Sequence, residues 1–459
     1  MRYISTRGDK NEVSFVDALL TGLAPDGGLY MPVTWPQLAD GWKARLKDAP
    51  YTDCALEVTR AFAGDDFSDD ELQDLVQATY ALFADPDVAP LRELEPNLLL
   101  LELFHGPTFA FKDFAMQMLG HLFDASLKKR DERRTIVVAT SGDTGAAAVE
   151  ALGGLECIDL FVMHPEGRIS DAQRRQMTTS LEANVYNIAV QGTFDDCQRI
   201  LKTLFADDEF RNSVSLGAVN SINWARIMAQ TAYFISTAAK LDSPAAYSVP
   251  TGNFGDIFAG FVARKMGVET GPLVIATNKN DILHRTLMTG IYKIESSAAT
   301  LSPAMDIQVA SNFERLLFEV LDRDAELLGD MMNDLASKGE MRIPASAIAT
   351  MRETFLSDHV DDDETREEIR ATFNSTSVMV DPHTAVGLRA ARQQLTDYDG
   401  PRVVLSTAHP AKFADTVEAA TGKAPDMPAR LADMMDAPER LTTLLPDANV
   451  IKGFIASLL

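Results

Sequence analysis

The sequence predicts an α/β protein with more than one domain, in which parallel sheets follow a mostly helical N-terminal unit. From about Leu98 onward, short apolar runs are each followed by a small-residue turn and a helix-like segment, which is the pattern of βα units. The length of 459 residues also exceeds the size at which a single hydrophobic core stops growing. Two or three domains are therefore expected, with room for a buried cleft between them.

The helical N-terminal unit covers residues 1–92. Apolar residues recur at helical spacing around Tyr51–Phe62 and Leu72–Phe83, and a glycine-rich turn lies at Pro25–Gly28. No residue pattern in this unit indicates chemistry. We therefore expect residues 93–459 to carry the functional site.

Three of the βα units share one design, in which a strand is followed by a turn rich in small and polar residues and then by a helix. Their strands are predicted at Thr135–Thr140, Ala245–Pro250 and Pro401–Thr407, and further strands at Ile158–His164 and Asn184–Val190. The carboxyl ends of parallel strands gather at one edge of a sheet, where helix N-termini present free N–H groups. The three turns therefore predict a crevice that binds small anions.

Composition excludes several classes of function. Lys and Arg number 42 against 67 Asp and Glu, a net charge of −25, which argues against binding nucleic acid by neutralising its phosphates. The three cysteines are scattered and the seven histidines lack paired spacing, so no disulfide framework or metal site is expected.

We also expect a cytoplasmic protein that does not cross a membrane. The apolar stretch Leu98–Leu101 is far shorter than the roughly 20 residues of a membrane span, and the first residues lack a targeting pattern. The acidic stretch Ser357–Glu368 is expected to be a solvated face or a linker.

Residues Gly252, Asn253, Phe254, Gly255 and Asp256 form a turn between a predicted strand and a predicted helix. We expect its two glycines to take positive φ or to let the backbone approach a ligand closely. Free N–H groups and the helix dipole would stabilise a phosphate here despite the acidic net charge. A tight turn without a ligand is an equal alternative, because the motif is neither a P-loop nor a dinucleotide fingerprint.

A second turn of this kind contains Ser141, Asp143 and Thr144. Its two hydroxyl groups lie among N–H groups at the start of a predicted helix and would suit a carboxylate. Helix capping is the alternative, because Asp and Thr at helix starts are more often caps than ligands.

Lys112 stands between Phe111 and Phe114, with Asp113 as its one charged neighbour in the sequence. Apolar surroundings destabilise an ammonium group and lower its pKa, which favours imine formation and proton transfer. The alternatives are a lysine that extends its ammonium to solvent or one that pairs with Asp113.

Six motifs occur in one order along the chain, namely HGPTFAFKDF, SGDTG, NSINWAR, PTGNFGD, DPHTAVG and STAHPAKF. Together with the earlier segment GLAPDGGLYMP, they resemble the threonine synthases of the bacterial and fungal branch, over nearly the whole chain. The resemblance implies the tryptophan synthase β-like fold of pyridoxal-phosphate-dependent enzymes, with the cofactor in a cleft between two α/β domains. The smaller domain would comprise about 118–215, inserted in a larger domain formed by 93–117 and 216–459.

The resemblance also implies roles for residues that would bind pyridoxal 5'-phosphate. Lys112 matches the lysine that forms the Schiff base, and the turn Gly252–Asp256 matches the loop around the cofactor phosphate. Thr407 matches the hydroxyl residue that bonds to the pyridine nitrogen, and a neutral partner there would leave the ring unprotonated.

For the substrate, Ser141 and Thr144 match the turn that holds the carboxylate. Asn220, Ser221 and Arg226 match a segment that holds the substrate phosphate, for which a guanidinium offers a two-pronged fork.

Two residues have open roles. Many relatives of the wider fold have SGN where this chain has SGD, and their Asn contacts the phenolic oxygen of the cofactor. An ionised Asp143 cannot donate to that oxygen, so it either caps the helix or meets a protonated partner. His383 lies in a stretch near the cofactor in relatives, but a structural histidine with satisfied hydrogen bonds is at least as consistent.

The resemblance implies conversion of O-phospho-L-homoserine and water to L-threonine and phosphate by a monomer or homodimer. One alternative keeps the cofactor but yields a 2-oxo acid through a phospho-lyase reaction. A non-catalytic binder of small anions is another, although it has no need of Lys112. A dinucleotide-dependent dehydrogenase is disfavoured because the GxGxxG motif is missing.

Overall fold

The computed structural model describes all 459 residues and contains four sheets. The strands, in chain order, are β1 (Tyr3–Ser5), β2 (Tyr30–Pro32), β3 (Leu91–Glu95), β4 (Leu98–Glu102), β5 (Arg134–Ala139), β6 (Ile158–Pro165), β7 (Val185–Val190), β8 (Leu216–Gly217), β9 (Ala246–Pro250), β10 (Leu273–Thr277), β11 (Ile291–Lys293), β12 (Glu340–Arg342), β13 (Phe355–His359), β14 (Arg402–Ser406) and β15 (Thr442–Leu444).

The helices surround these sheets. They are α1 (Phe15–Thr21), α2 (Trp42–Leu46), α3 (Tyr51–Ala63), α4 (Asp69–Tyr80), α5 (Lys112–Arg130), α6 (Asp143–Leu152), α7 (Asp171–Thr178), α8 (Phe194–Ala206), α9 (Asp208–Ser213), α10 (Trp224–Lys240), α11 (Gly255–Lys265), α12 (Ile282–Thr289), α13 (Phe313–Val320), α14 (Ala325–Lys338), α15 (Ala345–Arg352), α16 (Asp362–Thr376), α17 (Pro382–Gln394), α18 (Ala414–Thr421), α19 (Ala429–Met435) and α20 (Ala448–Ala456). None of them combines the length and hydrophobicity that a membrane-crossing helix requires.

Two sheets carry the α/β part of the fold. The six-stranded sheet has the order β13-β10-β9-β14-β4-β3, and its neighbours are parallel except for β3 and β4. The five-stranded sheet has the order β15-β7-β6-β5-β8 and is parallel throughout. The predicted fold class is confirmed, namely parallel α/β sheets with a mostly helical N-terminal unit.

The central strands explain why their sequences are continuous apolar runs. Strands β9 and β10 are buried along their whole length, because helices cover both faces of the sheet. Each of the five strands predicted from the sequence is present within one or two residues of its expected bounds. Strands β9 and β14 are neighbours, so the turns that follow them meet at one edge of the sheet.

Helix α10 joins the N-terminal unit to the rest of the molecule. Every residue from Trp224 to Ala239 is buried, since α3, α5 and α11 pack around it. The side chain of Asn223 accepts a hydrogen bond from the N–H of Ala225 and donates one to the carbonyl of Leu19 at 2.8 Å. This N-cap fixes the start of α10 against the N-terminal unit.

The largest hydrophobic cluster continues from the N-terminal unit through both major sheets. A second cluster lies between the six-stranded sheet and α17, and a third between the five-stranded sheet, α8 and α20. The domain boundaries at residues 92, 117 and 215 stay a prediction. Strand β15 pairs with β7, so residues 442–444 belong to the five-stranded sheet and not to the six-stranded one.

The expectation for the acidic stretch Ser357–Glu368 is confirmed only in part, because Asp361, Asp363 and Glu367 are exposed but the stretch is not a linker. It contains the end of β13, an edge strand of the six-stranded sheet, and the start of α16. Glu368 is buried, where its carboxylate accepts hydrogen bonds from Nε of Arg392 at 3.0 Å and from the hydroxyl of Thr372 at 3.1 Å. A distant arginine therefore compensates the buried charge, and sequence composition does not reveal that partner.

Candidate active site

Lys112 is the first residue of α5 and lies at the meeting point of the two sheets. The N–H of Phe111 donates to the carbonyl of Thr407 at 2.8 Å, which places the start of α5 beside the carboxyl end of β14. The Lys112 side chain is 12% exposed, with Nζ over the ring of Phe111. Burial lowers the pKa of Lys112, as do the neighbouring Arg226 and Lys412, while Asp143 and Asp256 oppose that shift.

Asp113 does not pair with Lys112, which excludes one alternative drawn from the sequence. The buried carboxylate of Asp113 instead accepts hydrogen bonds from the N–H of Thr108 at 2.8 Å and from its hydroxyl at 2.6 Å. Burial raises the pKa of Asp113 to about 6, against these two bonds. Asp113 therefore fixes the loop before α5 and leaves the amine of Lys112 free of it.

Asp143 meets protonated partners, which decides between the two roles left open for it. Its Oδ1 accepts from Nζ of Lys412 at 2.7 Å and from Nε2 of Gln173 at 3.0 Å, and its Oδ2 lies 3.8 Å from Nζ of Lys112. Burial alone would raise the pKa of Asp143, but the two ammonium groups outweigh it and hold that pKa well below its usual range.

Lys412 is a site residue that sequence reasoning missed. Its side chain is completely buried, and its ammonium also donates to the carbonyl of Thr108 at 2.8 Å. The signal was present in the motif STAHPAKF, where Lys412 stands among apolar residues as Lys112 does.

The hydroxyls of Ser141 and Thr144 are not used as helix caps. Thr140 binds the start of the helix instead. Its hydroxyl oxygen accepts hydrogen bonds from the N–H groups of Gly142 and Gly145, both at 2.9 Å. The N–H groups of Ser141, Asp143 and Thr144 donate no hydrogen bond within the chain. The capping alternative is therefore wrong for these two hydroxyls, which are free to bind a ligand.

The turn from Gly252 to Asp256 links β9 to α11, as the sequence predicted. None of its five N–H groups donates a hydrogen bond within the chain, which leaves a row of donors at a helix N-terminus. The positive φ falls on Phe254, at 64°, and on neither glycine, so that part of the expectation was wrong.

Gly252 is required for a different reason. A Cβ at this position would lie 2.7 Å from the carbonyl oxygen of Ala304, which is a backbone atom. Gly255 is less constrained, since its added Cβ would meet Nδ2 of Asn312 at 3.2 Å. Gly252 therefore lies close to the loop around Ala304, and the expected approach of this turn to a ligand stays a prediction.

Asn312 connects this turn to the segment that contains Asn220 and Ser221. Its Nδ2 donates to the carbonyls of Asn253 and Ser221, both at 3.1 Å, and its backbone N–H donates to Asn253 as well. Its Oδ1 accepts from the buried guanidinium of Arg315. Asn312 was not found from the sequence, because nothing in its local pattern indicates two distant carbonyls.

Arg226 lies in the first turn of α10 and is buried without a carboxylate partner. Its Nη1 donates to the carbonyl of Val219 at 3.1 Å, whereas its Nε has no hydrogen-bond partner. Burial lowers the pKa of Arg226 to about 10, and the nearby Tyr233 opposes that shift. A buried, unpaired guanidinium is costly, so this position suits an anionic ligand.

Asp256 is the second buried carboxyl group near Lys112. Its Oδ1 accepts a hydrogen bond from the hydroxyl of Tyr233, while its Oδ2 has no partner. Burial raises the pKa of Asp256 to about 7, although the Tyr233 hydrogen bond and Lys112 oppose this.

Thr407 and His383 lie on the other side of the start of α5. The Thr407 hydroxyl makes no hydrogen bond within the chain, and its N–H donates to the hydroxyl of Thr384 at 3.2 Å. His383 is buried, with Nδ1 2.7 Å from Oδ2 of Asp381 and Nε2 accepting from the N–H of Ala304. His383 therefore has the satisfied hydrogen bonds of a structural residue, and it fixes the loop against which Gly252 packs.

Together these groups form one site with an amine of lowered pKa, two rows of free N–H groups and a buried guanidinium. Such a set suits a ligand with an aldehyde for the amine and anionic groups for the donors. Residues 87–350 match the family described as "Pyridoxal-phosphate dependent enzyme". Fold and site thus define a pyridoxal-phosphate-dependent enzyme.

The flanking segments define the family more narrowly. Residues 2–80 match "Threonine synthase N terminus" and residues 384–455 match "Threonine synthase, C-terminal". The chain belongs to the threonine synthase family.

Individual relatives agree over the full length. The chain is 46% identical to threonine synthase of Pseudomonas aeruginosa, over 99% of this chain and 98% of that protein. The crystal structure of PLP-bound threonine synthase from Brucella melitensis superimposes with a TM-score of 0.97 at 45% identity, covering 100% of this chain and 99% of that one. The yeast enzyme structure gives a TM-score of 0.95 at 38% identity, covering 100% and 98%.

The packing of Gly252 gives a first prediction. Gly252→Ala should lower the free energy of unfolding by about 1–3 kcal/mol, because the new methyl group overlaps the Ala304 carbonyl. Gly329→Ala in α14 is the matched control, since a Cβ there meets nothing within 4 Å. Urea denaturation followed by circular dichroism measures both. Equal stabilities of the two variants would contradict the assigned contact.

The raised pKa of Asp256 gives a second prediction. Because the folded state binds this proton more tightly than the unfolded chain, its contribution to stability is present below about pH 4 and is lost as the pH rises through about 7. Both proteins are stripped of cofactor for this comparison. From pH 5 to pH 8, the free energy of unfolding of the unaltered protein should fall by on the order of 2–3 kcal/mol more than that of Asp256→Asn. Urea denaturation at both pH values measures this difference, and parallel losses in the two proteins would exclude the shift.

Proposed function

We propose that the protein converts O-phospho-L-homoserine and water to L-threonine and phosphate, with pyridoxal 5'-phosphate as the cofactor. The observation that carries this proposal is that two basic residues lie in one site of a chain of the threonine synthase family. They are Lys112, whose pKa is lowered, and Arg226, which is buried without a carboxylate partner. The lysine suits the cofactor aldehyde and the arginine suits a second phosphate.

Three parts of the site would hold the cofactor. Lys112 would bind it covalently through Nζ, and the free N–H groups of Gly252–Asp256 would hold its phosphate at the start of α11. The unused hydroxyl of Thr407 would bond to the ring nitrogen as a neutral partner. When bound, the cofactor withdraws electrons from the carbon atoms beside the substrate nitrogen, so that protons can leave them.

The remaining parts would hold the substrate. The hydroxyls of Ser141 and Thr144 and the N–H groups beside them would bind its carboxylate. Arg226 would bind its phosphate, together with the side chains of Asn220 and Ser221, and would stabilise the charge that develops as phosphate leaves Cγ.

Lys112 has a lowered pKa and would therefore serve as the base once its amine is free. Its Nζ would remove one proton from Cα of the substrate and then one from Cβ as phosphate leaves Cγ, and a proton returned to Cγ would leave a double bond between Cα and Cβ; after water has added its hydroxyl at Cβ, a proton would return to Cα. Burial lowers the pKa of this amine and so favours its neutral form, which can accept a proton.

The phospho-lyase alternative differs in the fate of the intermediate. It would release the unsaturated product before water adds at Cβ, and hydrolysis would give a 2-oxo acid. The relatives that are 43% to 46% identical to this chain are threonine synthases, which favours the first outcome. The same relatives give no support to a non-catalytic binder of anions.

We also propose that the protein works in the cytoplasm as a monomer or homodimer, with a small molecule as its substrate. The net charge of −25 argues against neutralising the phosphates of a nucleic acid, which supports the small-molecule substrate.

Product analysis tests the proposed function. In D₂O, the protein should convert phosphohomoserine to threonine that carries deuterium at Cα, with one phosphate released per threonine. NMR spectroscopy and a phosphate assay measure both products. Lys112→Ala is the control and should be inactive. A 2-oxo acid as the main product would establish the phospho-lyase alternative, and no turnover with bound cofactor would refute both.

The role of Arg226 gives a separate prediction. Arg226→Ala should lower kcat/KM by an amount that corresponds to about 2–5 kcal/mol of lost transition-state stabilisation, because a desolvated charge pair is lost. Arg226→Lys keeps the charge without the fork and should be intermediate.

Cofactor absorbance should be retained in both Arg226 variants, and added cofactor should restore nothing. Gly252→Ala is the contrast, since displacement of its turn should weaken cofactor binding instead. If the Arg226 variants and Gly252→Ala all lose the cofactor, the substrate phosphate and the cofactor phosphate are not bound at two separate positions.

A further inference from the structure

A second lysine, Lys412, is fully buried and competes with Lys112 for the same carboxylate. Nζ of Lys412 lies 2.7 Å from Oδ1 of Asp143, a direct hydrogen-bonded ion pair. Nζ of Lys112 lies 3.8 Å from Oδ2 of Asp143, beyond hydrogen-bond distance. Of the two amine groups that face this carboxylate, only that of Lys412 is hydrogen-bonded to it, and Lys112 makes the longer electrostatic contact.

The positions of both partners are fixed from opposite sides of the site. Lys412 follows β14 of the six-stranded sheet and is anchored by its bond to the Thr108 carbonyl at 2.8 Å. Asp143 begins α6 beside the five-stranded sheet, and Gln173 of α7 donates to the same Oδ1 at 3.0 Å. Oδ1 is thus occupied by two donors, which leaves only Oδ2 towards Lys112.

The loss of Lys412 would change what Lys112 meets. A buried carboxylate without a partner is costly, so Asp143 would be drawn to the remaining ammonium group. A direct pair with Asp143 would stabilise the charged form of Lys112, and a protonated amine is neither a nucleophile nor a base. Lys412 also repels a positive charge on Lys112 directly.

We propose that Lys412 is a positioning residue, which binds Asp143 so that this carboxylate stays beside Lys112 without a direct hydrogen bond to it. The inference rests on the proposed function of Lys112. Four charged groups face Lys112, namely Asp143 of α6, Arg226 of α10, Asp256 of α11 and Lys412 after β14. Asp113 and His409 also lie close enough to sense the charge of Lys412.

A spectroscopic pH titration of the holoenzyme tests this role without relying on turnover. The absorbance of the bound cofactor reports the protonation of the nitrogen that Lys112 contributes. Lys412→Met should raise the midpoint of this titration by about 1–2 pH units, because Asp143 then turns to Lys112. Asp143→Asn should lower it by about 1 unit, because the counter-charge is removed. Lys412→Arg should remain near the unaltered protein, and so should Lys423→Met, which changes an exposed lysine.

A double-mutant cycle separates action through Asp143 from direct repulsion. In the Asp143→Asn background, Lys412→Met removes only the direct repulsion, so its effect on the midpoint should be smaller by about 1 unit. Equal effects in the two backgrounds would overturn the proposal, as would a lower or unchanged midpoint in Lys412→Met.

The remaining variants keep the test decisive if Lys412→Met does not fold. Asp143→Asn leaves no unpaired carboxylate, and an unchanged or higher midpoint in that variant alone would overturn the proposal. Failure of the proposed function is distinguishable, since the unaltered protein would then lack the cofactor band that the titration follows. If the cofactor band is normal but its titration midpoint is the same in these variants as in the unaltered protein, the role of Lys412 is refuted and the proposed function is unaffected.

Discussion

The buried guanidinium of Arg315 is the interaction on which the geometry of the site depends. Its Nε donates to the carbonyl of Tyr30 in the N-terminal unit at 3.1 Å, and its Nη2 donates to the carbonyl of Ile222 at 2.6 Å. Its Nη1 donates to Asn312, which in turn holds the carbonyls of Asn253 and Ser221. One side chain thus fixes, relative to each other, the N-terminal unit and the two segments proposed to bind phosphates. This also explains how a helical unit without chemistry of its own can be needed for an active site.

The electrostatics of the site are local and oppose those of the whole chain. The protein carries a net charge of −25, yet Lys112, Arg226, Lys412 and Arg315 bring four cationic side chains into one buried region. Burial weakens screening by water and salt, so these close charges outweigh the distant acidic surface. A phosphorylated amino acid can therefore bind to a protein whose overall charge would repel it.

Much of the fold and part of the site could be predicted because their signals are local. The strands before Ser141, Thr251 and Ala408 appear as apolar runs, and the unusual company of Lys112 is visible within four residues. Asn312 and Gln173 escaped because their partners lie far away in the sequence, 91 residues for Asn312 and Ser221 and 30 for Gln173 and Asp143. The apolar neighbours of Lys412 were visible, but its partner Thr108 lies 304 residues away. Such contacts exist only in the folded chain. The positive φ of Phe254 escaped for a related reason, since a glycine was expected to take it.

The last strand of the chain has a consequence for the order in which the protein can fold. Strand β15 pairs with β7, which was synthesised about 250 residues earlier, and α20 packs on α8. During translation β7 therefore remains an open edge of the five-stranded sheet until the segment that contains β15 has been synthesised. Closing so long a loop costs entropy before any contact is gained, which makes this step slow. An unpaired edge is also a template for other strands, so the nascent chain is exposed to misassembly for the whole of that interval.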